Sequence, residues 1–202
     1  RYLFNSVASV VCVTLNYYTP DPDDYRQPQT LKIAKYARSR DYHKRIKKKL
    51  NQLLKTLQAI EPTLQGRAIT DSAPLLEKAL AVRAGFGWQG KHSNIIHPNK
   101  GSWFFLGELL LDKTITPFSQ MAGLLPVANH CGRCTRCIDA CPTDALSSPY
   151  EVNANRCIAY WTIESKADTF PEAIRQNLQG WVFGCDICQD VCPWNTRWAK
   201  IE

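Results

Sequence analysis

The chain has 202 residues, of which 45% are hydrophobic and 21% are charged, and its formal net charge is +7 at pH 7. This length and composition suffice for a packed core of one large or two small domains without disulfide staples. No charged start leads into an apolar signal stretch and no apolar run approaches the length of a membrane span, so neither secretion nor membrane insertion is supported. We therefore expect a cytoplasmic, monomeric protein that binds no membrane. In that reducing compartment, its nine cysteines call for an explanation other than disulfides.

A buried strand and a strongly basic helix are the first predicted elements. Residues 7–15 (VASVVCVTL) form a β-branched apolar run that predicts a buried strand, with Cys12 as a small core side chain. Between residues 25 and 60 there are eleven lysines or arginines but only one acidic residue, Asp41. Apolar residues recur there at helical spacing, which predicts an amphipathic helix with a basic outer face. Such a face is either merely solvated or a surface for a phosphate backbone, and its charge alone does not decide.

Asp71 is the ionisable residue that this part of the sequence singles out. Residues 66–70 predict a short strand and residues 74–84 a helix, so Asp71 lies at a strand-to-helix junction, where active-site groups often sit. The alternative is that Asp71 merely caps that helix. The glycine-rich sequence GFGW ends the helix, and residues 93–112 predict a hairpin of two strands around a turn at residues 97–101.

Eight of the nine cysteines fall into an iron-sulfur pattern. CGRCTRCIDACP matches the spacing C-x2-C-x2-C-x3-C-P, and GCDICQDVCP repeats its last three positions, while Cys157 can take the missing first position. In two-cluster bacterial ferredoxins, three closely spaced thiolates bind one cluster and the fourth binds the other. The predicted ligands of cluster one are Cys131, Cys134, Cys137 and Cys192. Those of cluster two are Cys157, Cys185, Cys188 and Cys141.

Zinc and disulfides explain this spacing less well than two 4Fe-4S clusters. Zinc sites prefer two separated C-x2-C pairs, which leaves the third cysteine and the trailing Cys-Pro unexplained. Disulfides would need an oxidising compartment. We therefore predict a ferredoxin-like module over residues 126–202, which leaves residues 1–125 for a second site.

Six sequence blocks, spread in order over nearly the whole chain, resemble the epoxyqueuosine reductases. They are IAKYARSRDYHK, ITDSAPLLEKALAVRAGFGWQGKHSNII, GSWFFLGELL, CGRCTRCIDACPTDAL, RCIAYWTIE and GCDICQDVCPWN. The resemblance implies an oxidoreductase that reduces epoxyqueuosine to queuosine at the wobble position of tRNA. It implies an α+β fold, with a nitroreductase-like cobalamin-binding domain over residues 1–125 before the ferredoxin-like module. It also implies that the chain is a fragment without the family's first segment and C-terminal tail.

The resemblance further implies roles for individual residues and partners. Asp71 matches the family's proton donor, since a carboxylic acid in a partly desolvated pocket can keep a proton near neutral pH. Asp186 and Ile187 would lie beside the corrin ring, because cluster two should be near it. The full set of expected cobalamin neighbours is Ala34, Tyr36, Asp71, Asn94, Ile95, Leu106, Ala159, Asp186 and Ile187. The expected partners are the tRNA anticodon stem-loop carrying epoxyqueuosine and an unidentified reductant protein.

Several side chains and two other functions remain open at this point. His43 is either a cofactor neighbour or an ordinary helix residue, and Lys91 and His92 follow a glycine-rich turn that suggests a phosphate site. Trp88, Trp103 and Trp161 either stack on a base or corrin or fill the core, and large aromatic residues more often fill core. The alternative functions are a corrinoid reductive dehalogenase, which gives the basic helix no purpose, and a ferredoxin-like electron carrier without a catalytic site.

Overall fold

The computed structural model describes residues 6–27, 29–115 and 127–198, with a mixed helix and sheet fold. The chain divides into two compact units. Unit 1 comprises Arg1–Asn16, Arg40–Trp88 and Phe104–Ala128, and unit 2 comprises Tyr17–Ser39, Gln89–Trp103 and Asn129–Glu202. The units therefore do not follow the single predicted boundary after residue 125, because two segments of the first half belong with the cysteine motifs. Within the described ranges, no helix is both long and apolar enough to cross a membrane.

Unit 1 is built on a three-stranded antiparallel sheet. Strand β6 (Phe104–Leu111) lies in the centre, with β1 (Ser9–Asn16) on one side and β3 (Gly66–Ile69) on the other. The strands expected over residues 7–15 and 66–70 are confirmed. Most of β6 is buried, as its apolar run FFLGELLL requires of a central strand.

The basic segment forms one long helix on this sheet. Helix α1 (Tyr42–Ile60) begins after Asp41, whose side chain accepts the backbone N–H of His43 as a cap. Ile46 and Leu50 are its buried residues, and both lie at Gly107 of β6. A Cβ at Gly107 would stand 2.6 Å from Ile46 Cγ2 and 3.4 Å from Leu50 Cδ1. The predicted amphipathic helix is confirmed, and the missing side chain at Gly107 allows its close approach.

Helix α2 (Glu77–Arg83) is shorter than the predicted helix over residues 74–84. It ends in a Schellman motif, with Gly85 at φ 77° and bonds from Gly85 N–H to Val82 O and from Phe86 N–H to Ala81 O. Side chains alternate between the faces of a strand, and Glu108 of β6 lies near Glu77 of α2 while Gly107 faces α1. The two helices therefore cover opposite faces of the sheet.

The predicted hairpin over residues 93–112 is wrong. His97 and Gly101 do form an isolated antiparallel bridge, but β5 (Ile95–Ile96) pairs with the short β4 (Trp88–Gln89), whereas β6 pairs with β1 and β3. Two apolar runs on either side of a turn indicate that strands form, but they do not show which strands pair with each other. In this fold β6 pairs with β1 and β3 and not with β5.

Unit 2 consists mostly of short elements around the cysteine motifs. Strand β2 (Lys32–Ile33) pairs in parallel with β7 (Trp181–Phe183), and a π-helical turn spans Tyr160–Glu164. The helices are α3 (Arg136–Asp139), α4 (Glu172–Arg175), α5 (Ile187–Asp190) and α6 (Pro193–Trp198), and 3-10 turns span Asp23–Arg26, Lys35–Ala37 and Ala154–Arg156. Helices of about one turn are not stable by themselves in water. Packing and bound groups must therefore stabilise this unit.

A buried polar network connects distant segments of unit 2. Asn195 Oδ1 accepts the Ser102 N–H at 2.6 Å, and Asn195 Nδ2 donates to Ser102 Oγ and to the Gln189 carbonyl, each at 2.8 Å. Ser102 Oγ also bonds Gln189 Oε1 at 2.8 Å. All three residues are buried, so the satisfied network specifies how the segment before β6 meets α5 and α6.

We predict that Gly107→Ala lowers the free energy of unfolding by about 1–3 kcal/mol, because the added Cβ overpacks the contact with Ile46. The measurement is urea unfolding followed by circular dichroism. In an Ile46→Ala background the cost should shrink, since the clashing atom is gone. Gly85→Ala is the matched control: nothing lies within 4 Å of its Cβ, so its backbone cost should be equal in both backgrounds. An equal cost of Gly107→Ala in both backgrounds would contradict the packing argument.

Candidate functional site

Four of the predicted cluster ligands line one cavity in unit 2. The cavity has a volume of about 270 Å³, and Cys131, Cys134, Cys137 and Cys192 contribute to its wall. Burial raises the pKa of the Cys137 thiol to about 11, and the negative charges of Cys192 and Cys131 add to the shift. Cys192, from the distant second motif, therefore lies with the first three cysteines, as the crossover pattern predicts.

The other four cysteines form a second group. Burial raises the pKa of the Cys185 thiol to about 12, with further contributions from Cys157 and Cys141. The pKa of Cys188 is also raised by burial, and then by Cys185 and Cys157. Burial and the neighbouring cysteines both disfavour the thiolate form of these residues when no metal is bound. They suit thiolates whose charge is neutralised by iron.

The ligand geometry fits a cluster better than a single ion. Among the described residues, no three histidine, cysteine or acidic side chains converge closely enough to hold one metal ion. A 4Fe-4S cluster does not need such convergence, because each of its four thiolates binds a different iron and the ligands stand farther apart. An open cavity with a cysteine on several sides is the arrangement that a cluster requires.

Lys91 supports the loop of the first cysteine motif. Its side chain is buried, and Nζ donates to the carbonyl oxygens of Gly132 at 2.8 Å and Cys134 at 2.9 Å. Both Lys91 and His92 line the cysteine cavity. The phosphate site suggested by the glycine-rich turn is therefore not supported at Lys91, whose ammonium group is used by the cysteine loop.

Three expected cobalamin neighbours lie together in unit 2. Ala34 belongs to an apolar cluster with Ile158 and Trp181, and Tyr36, Cys185 and Ile187 pack against it. The cluster thus joins Ala34, Tyr36 and Ile187 to a cysteine of the second group. Ala159 follows Ile158 in the chain and is half-buried.

The Asp186 carboxylate makes bonds inside the protein, and its role as a corrin neighbour stays a prediction. Its carboxylate is 2% exposed and accepts the Lys35 N–H at 2.7 Å. The ammonium group of Lys35 pairs with Asp190 at 2.8 Å and with Asp21 at 2.9 Å, and lies 4.8 Å from the Trp103 ring centroid. Burial raises the pKa of Asp186 to about 6. The Asp186 carboxylate is therefore part of an internal ion network, which leaves only its backbone for a cofactor.

The remaining expected neighbours lie in two places. Asn94 is in the turn before β5, where its carbonyl accepts the Gly90 N–H and its own N–H donates to His92 Nδ1. Ile95 beside it is 3% exposed, so its side chain is core. Leu106 is half-buried on β6 of unit 1, and its carbonyl accepts the Thr70 hydroxyl at 2.8 Å. Leu106 belongs to unit 1, whereas Asn94, Ile95 and the Ala34 cluster belong to unit 2, and a shared cobalamin site stays a prediction.

Asp71 lies in unit 1 in a left-handed conformation, with φ 54°. Asp71 Oδ2 accepts the Tyr42 hydroxyl at 2.7 Å and lies 3.1 Å from His43 Nε2. The other ring nitrogen of His43 lies 3.0 Å from Asp41 Oδ1, and the Tyr42 ring stacks on Phe105 at 3.9 Å. The first turn of α1 thus holds the Asp71 carboxylate through two side chains.

Asp71 does not cap helix α2. The helix begins at Glu77, its N-cap residue Leu76 makes no side-chain cap bond, and the Asp71 N–H donates to Glu77 Oε1 at 2.6 Å. The capping alternative is therefore wrong. The Asp71 side chain is 61% exposed, which differs from the partly desolvated pocket that the resemblance implied.

The sequence analysis missed residues around Asp71 and was right about two tryptophans. Tyr42, Glu77 and Glu108 were not predicted, and His43 contacts Asp71 instead of being only a helix residue. The sequence DYHK could have indicated these contacts, because it places the side chains of Tyr42 and His43 directly after the helix cap Asp41.

Trp88 and Trp103 are each 2% exposed, so the core interpretation is confirmed for both.

Two family models match parts of this chain. Residues 1–72 match the family described as "Epoxyqueuosine reductase QueG, DUF1730", and residues 130–195 match the "4Fe-4S double cluster binding domain". The epoxyqueuosine reductase of a Synechocystis species is 50% identical over 200 residues, covering 99% of this chain and 67% of the relative. That of Cellulophaga algicola is 46% identical over 200 residues, covering 99% and 62%.

Solved structures resemble the whole described fold. An epoxyqueuosine reductase crystallised with an epoxyqueuosine-modified tRNA-Tyr stem loop has a TM-score of 0.84 at 31% identity, over 95% of this chain and 50% of that one. A Bacillus subtilis epoxyqueuosine reductase, with its catalytic loop swung out of the active site, has a TM-score of 0.85 at 31% identity, over 98% and 51%. The chain thus spans about half to two thirds of the length of these proteins. The chain belongs to the epoxyqueuosine reductase family.

Proposed function

We propose that this chain carries the catalytic and electron-transfer parts of an enzyme that reduces epoxyqueuosine to queuosine at the wobble position of tRNA. The observation that carries the proposal is the arrangement of eight cysteines in two groups of four, each drawn from both motifs. Two 4Fe-4S clusters bound there would accept electrons one at a time from a reductant protein. The enzyme would act in the cytoplasm, where its tRNA substrate is found.

The proposed reaction balances with two electrons and two protons. Deoxygenation of the epoxide breaks both carbon–oxygen bonds, forms the alkene and releases the oxygen as water. Two one-electron clusters supply the electrons, and the protein must deliver a proton to the oxygen as the ring opens. An acid near that oxygen is therefore the protein's own catalytic requirement.

Asp71 is the acid that we propose for this step. Its exposed carboxylate is held by Tyr42 and His43, so Oδ2 has a defined position while a large substrate can still reach it. Asp41 lies on the far side of the His43 ring and fixes the orientation of that ring. The Asp71 side chain is 61% exposed, so it can recover its proton from solvent after each turnover.

We propose that cobalamin is the second cofactor. It would supply, when bound, a strongly reducing and nucleophilic metal centre. Tyr36 and Ile187 are suited to an extended, largely apolar ring because they are partly buried and pack, with Cys185, a proposed ligand of cluster two, against the buried Ala34. Asp186 and Ile95 would contribute through their backbones, since the first side chain is bonded internally and the second is core. The cobalamin-binding domain would have the nitroreductase-like fold.

The basic face of α1 is the proposed tRNA surface. Its cations are Lys44, Arg45, Lys47, Lys48 and Lys49, and the first two lie in the first turn, where the helix dipole disfavours positive charge. Phosphate groups would neutralise this concentrated positive charge. Lys47 Nζ also donates to Ser72 Oγ at 2.9 Å, so this face continues to the residue beside Asp71.

We predict that Cys192→Ser lowers the iron content after anaerobic reconstitution from about eight to about four irons per chain, because cluster one loses a ligand. Iron analysis and the visible absorption of the clusters measure this. Cys12→Ala is the matched control, since it removes the ninth thiol and should keep all the iron. Full iron content in Cys192→Ser would refute the crossover assignment.

We predict that Asp71→Asn lowers the rate of epoxyqueuosine reduction in tRNA by about 10²–10⁴-fold while iron and tRNA binding are kept. Asparagine tolerates the left-handed conformation, so the loop should keep its shape. Asp144→Asn, at another exposed aspartate with positive φ, is the control and should leave the rate unchanged. A near-normal rate in Asp71→Asn would remove Asp71 from the mechanism.

We predict that replacing Lys44, Lys48 and Lys49 together with glutamine weakens tRNA binding and flattens its salt dependence by roughly one unit of slope per lost phosphate contact. Binding of the modified stem-loop at several salt concentrations measures the slope. The control replaces Lys78, Lys100 and Lys166, which removes the same charge elsewhere. Equal slopes for the two triple variants would mean that the face of α1 is only solvated.

A further inference from the structure

Unit 1 contains a buried carboxyl group that the proposed mechanism does not use. Glu108 is in the middle of the central strand β6, and its side chain is 0% exposed. Neither carboxyl oxygen makes a hydrogen bond of normal geometry to a described residue. Such a group costs several kcal/mol if it is charged and less if it is protonated. A buried glutamate in the centre of a sheet therefore does not stabilise the fold, and its presence there suggests another role.

The surroundings of Glu108 keep it protonated near neutral pH. Its direct neighbours across the sheet are Cys12 on β1 and Ile69 on β3, and helix α2 brings Glu77 beside it. Burial and the charge of Glu77 raise the pKa of Glu108 from 4.5 to about 8. Burial and Glu108 likewise raise the pKa of the Cys12 thiol to about 11, so Cys12 adds no negative charge below that pH. Glu77 is therefore the only charged group that these neighbours present to Glu108.

Glu77 connects this buried acid to Asp71. Its Oε1 accepts the Asp71 N–H at 2.6 Å, a short bond to a backbone group in a left-handed conformation. A carboxylate acceptor makes this a charge-assisted bond, stronger than a neutral one. The same Glu77 side chain thus faces the Asp71 backbone and the Glu108 carboxyl.

We propose that Glu77 and Glu108 form a latch that positions the Asp71 loop, closed while Glu108 is protonated and released when Glu108 ionises. In the closed state Glu108 is neutral and does not repel the Glu77 carboxylate, which lies next to it and accepts the Asp71 N–H. Loss of the Glu108 proton would place two negative charges together in a poorly solvated site, and Glu77 can relieve the repulsion by turning to solvent. Asp71 would then lose the bond that fixes its backbone. Both residues are positioning residues, and the role of the latch in catalysis rests on the proposed function.

The sign of the pH effect follows from the raised pKa. Between pH 4.5 and about 8, folding takes up a proton at Glu108, so this group makes the protein less stable as pH rises through that range. Above about pH 8 Glu108 is ionised in the folded protein as well. Closure of the latch follows the same linkage, so it should weaken by up to about tenfold per pH unit as pH rises toward 8 and should not change further above that pH.

Backbone hydrogen exchange of the Asp71 amide tests the latch without reference to catalysis. In the intact protein with its clusters, the protection factor should fall by up to about tenfold per pH unit between pH 6 and pH 8 and then level off. Glu108→Gln imitates the protonated form and should keep Asp71 protected over that range. Glu77→Ala removes the acceptor and should leave Asp71 unprotected at every pH. Protection of the Leu109 amide in the sheet is the internal control and should not change.

A second variant covers the case in which Glu108→Gln does not fold. Glu77→Gln removes the repelling charge from the surface side and keeps an oxygen acceptor, so Asp71 should again stay protected up to pH 9. If wild-type protection shows no fall between pH 6 and pH 8, or if Glu77→Ala stays protected, the latch is refuted.

The rate of epoxyqueuosine reduction provides a separate readout. The wild-type rate should decline as pH rises toward 8, and the Glu108→Gln rate should decline less. If no reduction occurs at all while the exchange results hold, the proposed function fails and the latch stands. If reduction occurs with identical pH profiles in both proteins and exchange does not depend on Glu108, the latch fails and the proposed function stands.

Discussion

The sharing of cysteines between two motifs is the constraint on which unit 2 depends. Cys192 lies with the first three cysteines, and Cys141 lies within electrostatic reach of Cys185 and Cys188, so each group of four is completed by a residue from the other motif. Four helices of four to six residues cannot supply the stability of this unit. Ligation of iron by both motifs would hold these segments in one arrangement. The buried network of Ser102, Gln189 and Asn195 supports the same arrangement next to Cys192.

Unit 1 is stabilised differently and can therefore present a polar site. A central strand with apolar neighbours on both sides, covered by α1 and α2, gives a conventional core. At one edge of this core the chain places Asp71 between the start of α1 and the start of α2. Tyr42 and His43 hold its carboxylate and Glu77 holds its backbone, so an exposed acid has a defined position. Rigid helices and a strand thus position a loop residue, which is the usual arrangement for binding and catalytic side chains.

The sequence was informative where chemistry imposes a local spacing. Thiolate ligands must recur at short fixed intervals, so the sequence predicts two groups of cluster ligands with a crossover of Cys192, and this ligand assignment stays a prediction. Helical periodicity and composition likewise predicted α1 and its basic face. Partners distant in sequence leave no such pattern. The pairing of β6 with β1 and β3, the contacts of Asp71 with the start of α1, and the assignment of residues 17–39 to the cysteine-bearing unit all depend on tertiary packing. Asp186 shows the same limit, because Lys35 uses its carboxylate from 151 residues away.

The measurement that tests the account most directly is a single-turnover reaction of the anaerobic, iron-reconstituted chain with cobalamin, a chemical reductant and a tRNA stem-loop that carries epoxyqueuosine. Mass spectrometry of the digested nucleosides follows the modified base. The account predicts that the nucleoside loses one oxygen atom and becomes queuosine only when both the clusters and cobalamin are present. Unchanged epoxyqueuosine in a protein that holds eight irons, cobalamin and the stem-loop would contradict it.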